Sequence, residues 1–291
     1  GIILGQLLNP LEPHLAVYFS SASSGLRVLL TPALRQQLRA DHEAAAALCL
    51  KMGMRSCKEL REAKQVVWED NDLSAAELTT MGTLGSVLPA LEHLLFHFEY
   101  GPGGVELLMA GLGAGALPAV IWLQITGEHV IDAGASALAA ALGRGAMPQL
   151  KNLFLTNTEI SDAGLVALAP TLRRLPALER LYLEGGPFGD EGLGALVAAP
   201  SPAGAPQTTT AVFKKLQELH FSYTEITDAG CAALASALDR GVLPALGTVD
   251  VEHTPTSAAA KAAMEEALVR SRWRANDQLP YDDNSEYGHY H

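Results

Sequence analysis

The chain has 291 residues, 48% of them hydrophobic and 18% charged, with 20 basic against 32 acidic residues for a net charge of -12. That apolar share excludes global disorder, and an acidic surface without clustered Lys and Arg speaks against nucleic acid as a partner. Three cysteines, Cys49, Cys57 and Cys231, form neither an even set nor a close metal-ligand pair, which disfavours a disulfide-stapled module and favours a reducing intracellular compartment.

Residues 1–10 carry no basic stretch ahead of their apolar run, which weakens a signal-peptide reading of this end. Residues 1–62 follow no repeat. They hold an apolar stretch Leu11 to Tyr18, a Ser-rich turn Ser20 to Ser24, a second apolar stretch Leu26 to Leu30, a strong helix from Pro32 through Leu50, and a helical candidate Ser56 to Lys64. The order helix, Ser-rich turn, leucine run faintly resembles the small helical F-box module that precedes repeats in ubiquitin-ligase substrate adaptors. That module's Leu-Pro entry and acidic stretch are absent here, and a helical cap is the simpler expectation.

Residues 63–90 read as a degenerate first repeat. Val66 and Trp68 point inward, Leu78, Leu84 and Leu88 form a helix face, and Asn71, Leu73 and the pair Ser74 and Glu77 mark a turn and a capped helix start. Further units begin at Leu91, Val120, Leu150, Leu178, Leu216 and Leu246, a spacing near 29 residues apart from one long interval. The clearest, LKNLFLTNTEISDAGLVALAPTLRRLPA, recurs from Leu216 as LQELHFSYTEITDAGCAALASALDRGVLPA. Each unit opens with alternation, as at Leu153, Phe154 and Leu155, which predicts a short half-buried strand. Each closes on an apolar helix face such as Leu165, Leu168 and Leu172. Between them stand Asp132, Asp162 and Asp228, each followed by Ala and Gly; here the aspartate, or Ser161 and Thr227 before it, is expected to cap its own helix, with the glycine allowing close approach to the next coil. Pro148, Pro176 and Pro244 stop the helices.

One such unit cannot bury both of its apolar faces alone. Stacked at this period, the units predict a curved α/β solenoid, or horseshoe, with an inner parallel sheet, outer helices and an N-terminal helical cap. A doubly wound sheet would need neither near-identical repeats nor lack a Gly-rich phosphate loop. The uncharged run from Leu107 to Leu123 approaches the length of a short membrane span, but its glycines, Pro118 and its repeat register argue against one. The pattern resembles the ribonuclease-inhibitor class of leucine-rich repeats through Leu150, Leu153, Leu155, Ile160, Gly164, Leu168 and Leu172, and again through Leu216, Leu219, Phe221, Ile226, Gly230, Leu234 and Leu238. It departs from that class at Thr158 and Thr224, where the class carries Asn or Cys. The expected boundaries are 1–62 for the cap, 63–272 for about seven coils, and 273–291 for an extended tail. The long interval holds an insertion, Ser201 to Thr210, expected to project from the rim. At the far end a closing helix is expected over Ala258 to Ser271.

In this architecture the strand residues between core leucines face the concave surface. The middle strip is Val67, Leu95, Gln124, Phe154, Tyr182, His220 and Asp250. One flank is His93, Trp122, Asn152, Arg180, Glu218 and Thr248; the other is His97, Thr126, Thr156, Glu184, Ser222 and Glu252. Trp122, Phe154 and Tyr182 are the expected anchors of a protein partner, with Arg180 as a charged fork and Glu218 and Glu252 as an acidic end. Aromatics that merely stack on one another across the sheet would give the same pattern without a partner.

Nothing assembles an enzyme. His93 and His97 sit in a strand with only Glu69 as a nearby ligand, the aspartates recur with the helix starts, and no Walker loop, nucleotide fingerprint or serine elbow occurs. No cofactor and no metal are expected. The function expected is a non-enzymatic scaffold that binds a protein on the concave face, with a permanently bound structural subunit, or an F-box-like adaptor, as the alternatives.

Overall fold

The computed structural model describes residues 9–14, 31–68, 73–98, 103–198 and 213–277. Residues 15–30, Glu69 and Asn71, the insertion Ser201 to Thr210 and the chain after Asp277 lie outside them, so the expectations placed there concern residues that are not described.

Helix α1 (Pro32–Lys51) starts where Thr31 Oγ1 accepts from the Leu34 amide and Pro32 occupies the first turn; it buries Leu38, Ala45, Leu48 and Cys49 on one face. A short helix α2 (Cys57–Glu62) follows, capped by Ser56, and buries Cys57 and Leu60. The seven coils come next. Their strands are β1 (Gln65–Trp68), β2 (His93–His97), β3 (Trp122–Thr126), β4 (Asn152–Thr156), β5 (Arg180–Tyr182), β6 (Glu218–His220) and β7 (Thr248–Asp250). Each strand is followed by a helix, in turn α3 (Ala75–Leu84), α4 (Gly104–Ala110), α5 (Asp132–Gly143), α6 (Asp162–Leu172), α7 (Asp190–Val197), α8 (Asp228–Asp239) and α9 (Ala258–Asp277). Among the described residues the strands form one parallel sheet in the order β1 to β7. This is the expected solenoid, and the reason is the one the repeats supply: sheet and helix layers each present one apolar side to a shared core.

That core is continuous. Leu150, Leu153, Leu155, Ile160, Leu165, Leu168 and Leu172 of one coil are all buried, as are Leu216, Leu219, Phe221, Ile226, Leu234 and Leu238 of another. The first coil is built as expected, with Val66 and Trp68 inward and a full capping box in which the Ser74 amide donates to Glu77 and the Glu77 amide to Ser74. Lys51 Nζ lies 2.9 Å from Glu77 Oε2, tying α1 to this coil. Burial alone would raise the Glu77 pKa, but Lys51 and Ser74 hold it below the usual carboxylate range.

Strand ends turn through left-handed backbone at Gly127, Asn157, Gly185, Tyr223 and His253. Gly127 is required there, because a Cβ would run into the Phe98 carbonyl. Of the threonines that depart from the resembled class, Thr224 carries its turn, its Oγ1 donating to the Phe221 carbonyl at 2.7 Å, and Thr254 of the next coil does the same to that of Val251 at 2.8 Å.

Three expectations are corrected. The helix-start aspartates do not cap their own helices; they reach across to the following coil. Asp132 accepts from the Ser161 amide and hydroxyl, both at 2.7 Å, and Asp228 from the Ser257 amide at 2.6 Å and hydroxyl at 2.8 Å. Ser161 and Thr227 do cap, accepting from the Ala163 and Ala229 amides. The glycines correspondingly make room for the preceding coil, not the next: a Cβ on Gly192 would stand 2.8 Å from Asp162 Oδ1. At the far end α9 continues past Ser271 to Asp277, so 273–277 are helical rather than extended. Arg270 and Arg274 on α9 both reach the Asp239 carboxylate at the end of α8, at 3.1 and 2.9 Å, which holds the additional turns in place.

Among the described residues no helix is long and apolar enough to cross a membrane; the uncharged run ending at Leu123 is divided between α4, a connection and β3.

Candidate interaction surface

The parallel register sets Val67, Leu95, Gln124, Phe154, Tyr182, His220 and Asp250 side by side. It aligns His93, Trp122, Asn152, Arg180, Glu218 and Thr248 in the same way. Alternation with buried leucines turns both rows away from the core.

The aromatic members form one stack. Phe154 lies 4.3 Å from Tyr182 with planes at 17°, and Tyr182 lies 4.1 Å from His220 at 9°. Trp122 stacks on Phe154 at 4.4 Å and 21°, although the strand partner of Phe154 is Gln124. The indole crosses diagonally from the flanking row, a reach that large rings have across a sheet. His93 leans on Trp122 at 6.2 Å. The rings cover one another's faces and leave a half-buried row of edges toward the groove.

Beside the stack, polar groups are paired. Arg180 Nε donates to Glu218 Oε1 at 3.0 Å and Arg180 Nη1 to Asn152 Oδ1 at 3.1 Å; Tyr182 Oη donates to Glu218 Oε2 at 2.6 Å. Arg180, expected as a charged fork, is engaged with Glu218 and Asn152. Burial, reinforced by the Glu218 carboxylate, pushes the Tyr182 phenol up to about 12. The Tyr182 hydroxyl first, and Arg180 with it, holds Glu218 below the carboxylate range against the opposing effect of burial. Glu252 is exposed and meets Lys261 at 3.2 Å. His220 Nδ1 faces Glu184 and Asp250, each at 3.6 Å.

Three flanking positions depart from an open strip: Asn152, Thr126 and Ser222 are buried. His97 Nδ1 lies 2.6 Å from Thr126 Oγ1, which joins it to the sheet rather than to His93. The grouping of Glu184 with His220 and Asp250 was missed in the sequence, where the three stand on separate coils. Among the described residues no nucleophile, base and acid are assembled into a triad, and Cys49, Cys57 and Cys231 are free and buried.

A family model described as Leucine Rich repeat matches residues 214–235. No curated protein matches the sequence. Among solved structures the chain is similar to the actin-binding site 2 of leiomodin-1, at 18% identity and a TM-score of 0.37, over 49% of this chain and 75% of that one. It is also similar to an internalin from Listeria monocytogenes, at 13% identity and a TM-score of 0.35, over 68% of this chain and 56% of that one. The stacked coils and the matched repeat together make the chain a leucine-rich-repeat solenoid.

Proposed function

We propose that the protein is a non-enzymatic recognition module that binds a protein partner on its concave face, centred on Trp122, Phe154, Tyr182 and His220. One observation carries this reading: an ordered row of four rings stands on the side of the sheet away from the core, where folding alone does not call for it. Ring edges flanked by Leu95 and Gln124 on one side and by Glu218, Asp250 and Glu252 on the other offer an apolar centre with an acidic end. The net charge of -12 favours a protein over a nucleic acid. Full helices on the outer side and repeats near 29 residues support the ribonuclease-inhibitor type of coil.

The test is affinity purification comparing the wild type with a Trp122→Ala/Phe154→Ala/Tyr182→Ala variant and with Val166→Ala on an outer helix, all shown to fold by circular dichroism. Loss of a partner with the concave variant alone supports the reading. Equal recovery with all three proteins overturns it.

A further inference from the structure

Glu184, His220 and Asp250 stand on three successive coils and converge on one point of the concave face. His220 Nδ1 is 3.6 Å from Glu184 Oε1 and 3.6 Å from Asp250 Oδ2, and one ligand atom from each residue lies within 4.8 Å of the other two. Charge-assisted hydrogen bonds close to about 2.7–2.9 Å, so these are not direct pairs. The spacing is that of ligands around one ion: zinc bonds of ~2.0–2.2 Å at tetrahedral angles put neighbouring ligand atoms roughly 3.4 Å apart.

The ring is fixed for this task. Tyr182 stacks on it at 4.1 Å, and its other nitrogen, Nε2, is buried without a hydrogen bond, with Glu218 Oε2 the carboxylate oxygen on that side at 3.9 Å. The Nδ1 edge faces two carboxylates, whose mutual repulsion a cation between them would relieve. Beside them Ser222 is 5% exposed and holds its buried Oγ toward the Asp250 carboxylate, where it orients this ligand. The nearby cations are already engaged, Arg180 with Glu218 and Lys261 with Glu252.

We propose that Glu184, His220 and Asp250 form a binding site for one divalent transition-metal ion of the zinc type, with its remaining coordination position toward the concave groove. One imidazole and two carboxylates favour such an ion over magnesium or calcium, which take oxygen ligands. The site stands on its own geometry and does not rest on the partner-binding reading.

The experiment uses the full chain, stripped with chelator and titrated with Zn2+ alone by calorimetry, with Co2+ as a visible-absorption probe. One ion per chain and the absorption bands of four-coordinate Co2+ are expected. Glu184→Gln and Asp250→Asn should each weaken Zn2+ binding at least about tenfold, the scale of even supporting-residue losses at metal sites. Their metal-free circular dichroism should remain that of the wild type; if Asp250→Asn fails to fold, Glu184→Gln carries the test. His289 and His291 near the chain end are the competing ligands, so a His289→Ala/His291→Ala variant should bind Zn2+ as the wild type does. Absence of binding, affinity unchanged in the carboxamide variants, or binding lost with the two terminal histidines overturns the proposal.

Discussion

The Asp190 carboxylate occupies the space that a side chain on Gly230 would need. It is held there by the next coil, its Oδ1 accepting from the Thr227 amide at 2.9 Å and its Oδ2 from the Thr227 hydroxyl at 2.6 Å. Aspartate and glycine are therefore one device, repeated at Asp132 with Gly164 and at Asp162 with Gly192. It fixes the spacing between coils at the starts of α6, α7 and α8, while the leucines fill the interior.

Gly230→Ala should accordingly destabilise the fold by about 1–3 kcal/mol, the range for forcing extra volume into a packed site. Asp190→Ala alone should cost about 0.5–1.5 kcal/mol from the lost hydrogen bonds. In the double variant the alanine at 230 no longer meets the carboxylate, although Ile226 Cγ2 still lies 2.8 Å from its Cβ, so part of the Gly230→Ala cost should disappear and the two costs should not fully add. A double-mutant cycle by urea unfolding checks this, and simple additivity would show that the carboxylate and the glycine are not coupled.

Two other carboxylates, Asp228 and Asp239, make the fold sensitive to acid. The Ser257 amide and hydroxyl hold Asp228 below its ordinary value of 3.8, and Arg270 and Arg274 do the same for Asp239. A carboxylate that ionises more readily when folded stabilises the protein above its unfolded value and stops doing so as pH falls through the lowered folded value. The thermal midpoint should therefore drop as pH falls below about 4. Asp228→Asn should be less stable than the wild type at pH 6 and show a shallower further fall. A midpoint that stays level down to pH 2 would contradict the assignment.

Much of this architecture was legible in the sequence because the signal is local and repeated. Alternation at Leu153, Phe154 and Leu155, copied at Leu219, His220 and Phe221, fixes which side chains share a face, and stacking then fixes the register. What escaped was contact between coils. Asp162 beside its own helix start reads as a cap, while its actual partners, the Gly189 and Gly192 amides, lie on the following coil. The diagonal reach of Trp122 to Phe154 depends on a side-chain torsion that no spacing encodes. Burial of Asn152 and Ser222 in nominally open rows likewise follows from neighbours larger than themselves. Residue spacing favours an interface over a mere stack on the concave side; the stack is present, and the interface is the proposal that it motivates.

Phe154 sits between two rings, so Phe154→Ala interrupts the ladder at its centre. Aromatic pairs contribute ~0.5–1.5 kcal/mol each beyond buried area, and losing two should cost about 1–3 kcal/mol. Leu95→Ala, on the same row but outside the stack, should cost less. Near-ultraviolet circular dichroism should lose the contributions of Trp122 and Tyr182 in the first variant, weakening the aromatic bands, and keep them in the second. Unchanged bands in Phe154→Ala would mean that the rings are not ordered against one another in solution.

Tyr182 reports on the polar side of the same ladder. Burial and the bond to Glu218 raise its phenol from 10.0 to about 12. In the unfolded chain the phenol ionises near 10, so the folded state holds the proton more tightly, and the stability this contributes is present below pH 10 and lost as pH rises toward 12. A spectrophotometric titration of the folded protein should show one tyrosine ionising later than the others. Glu218→Gln removes the negative charge beside the phenol and should move that step toward lower pH, while Glu252→Gln, paired with Lys261 instead, should leave it in place. Because Arg180 lowers the Tyr182 value in opposition to Glu218, Arg180→Gln should move the step in the other direction, and a step indifferent to both residues would rule out the triad of Arg180, Glu218 and Tyr182 as a connected unit.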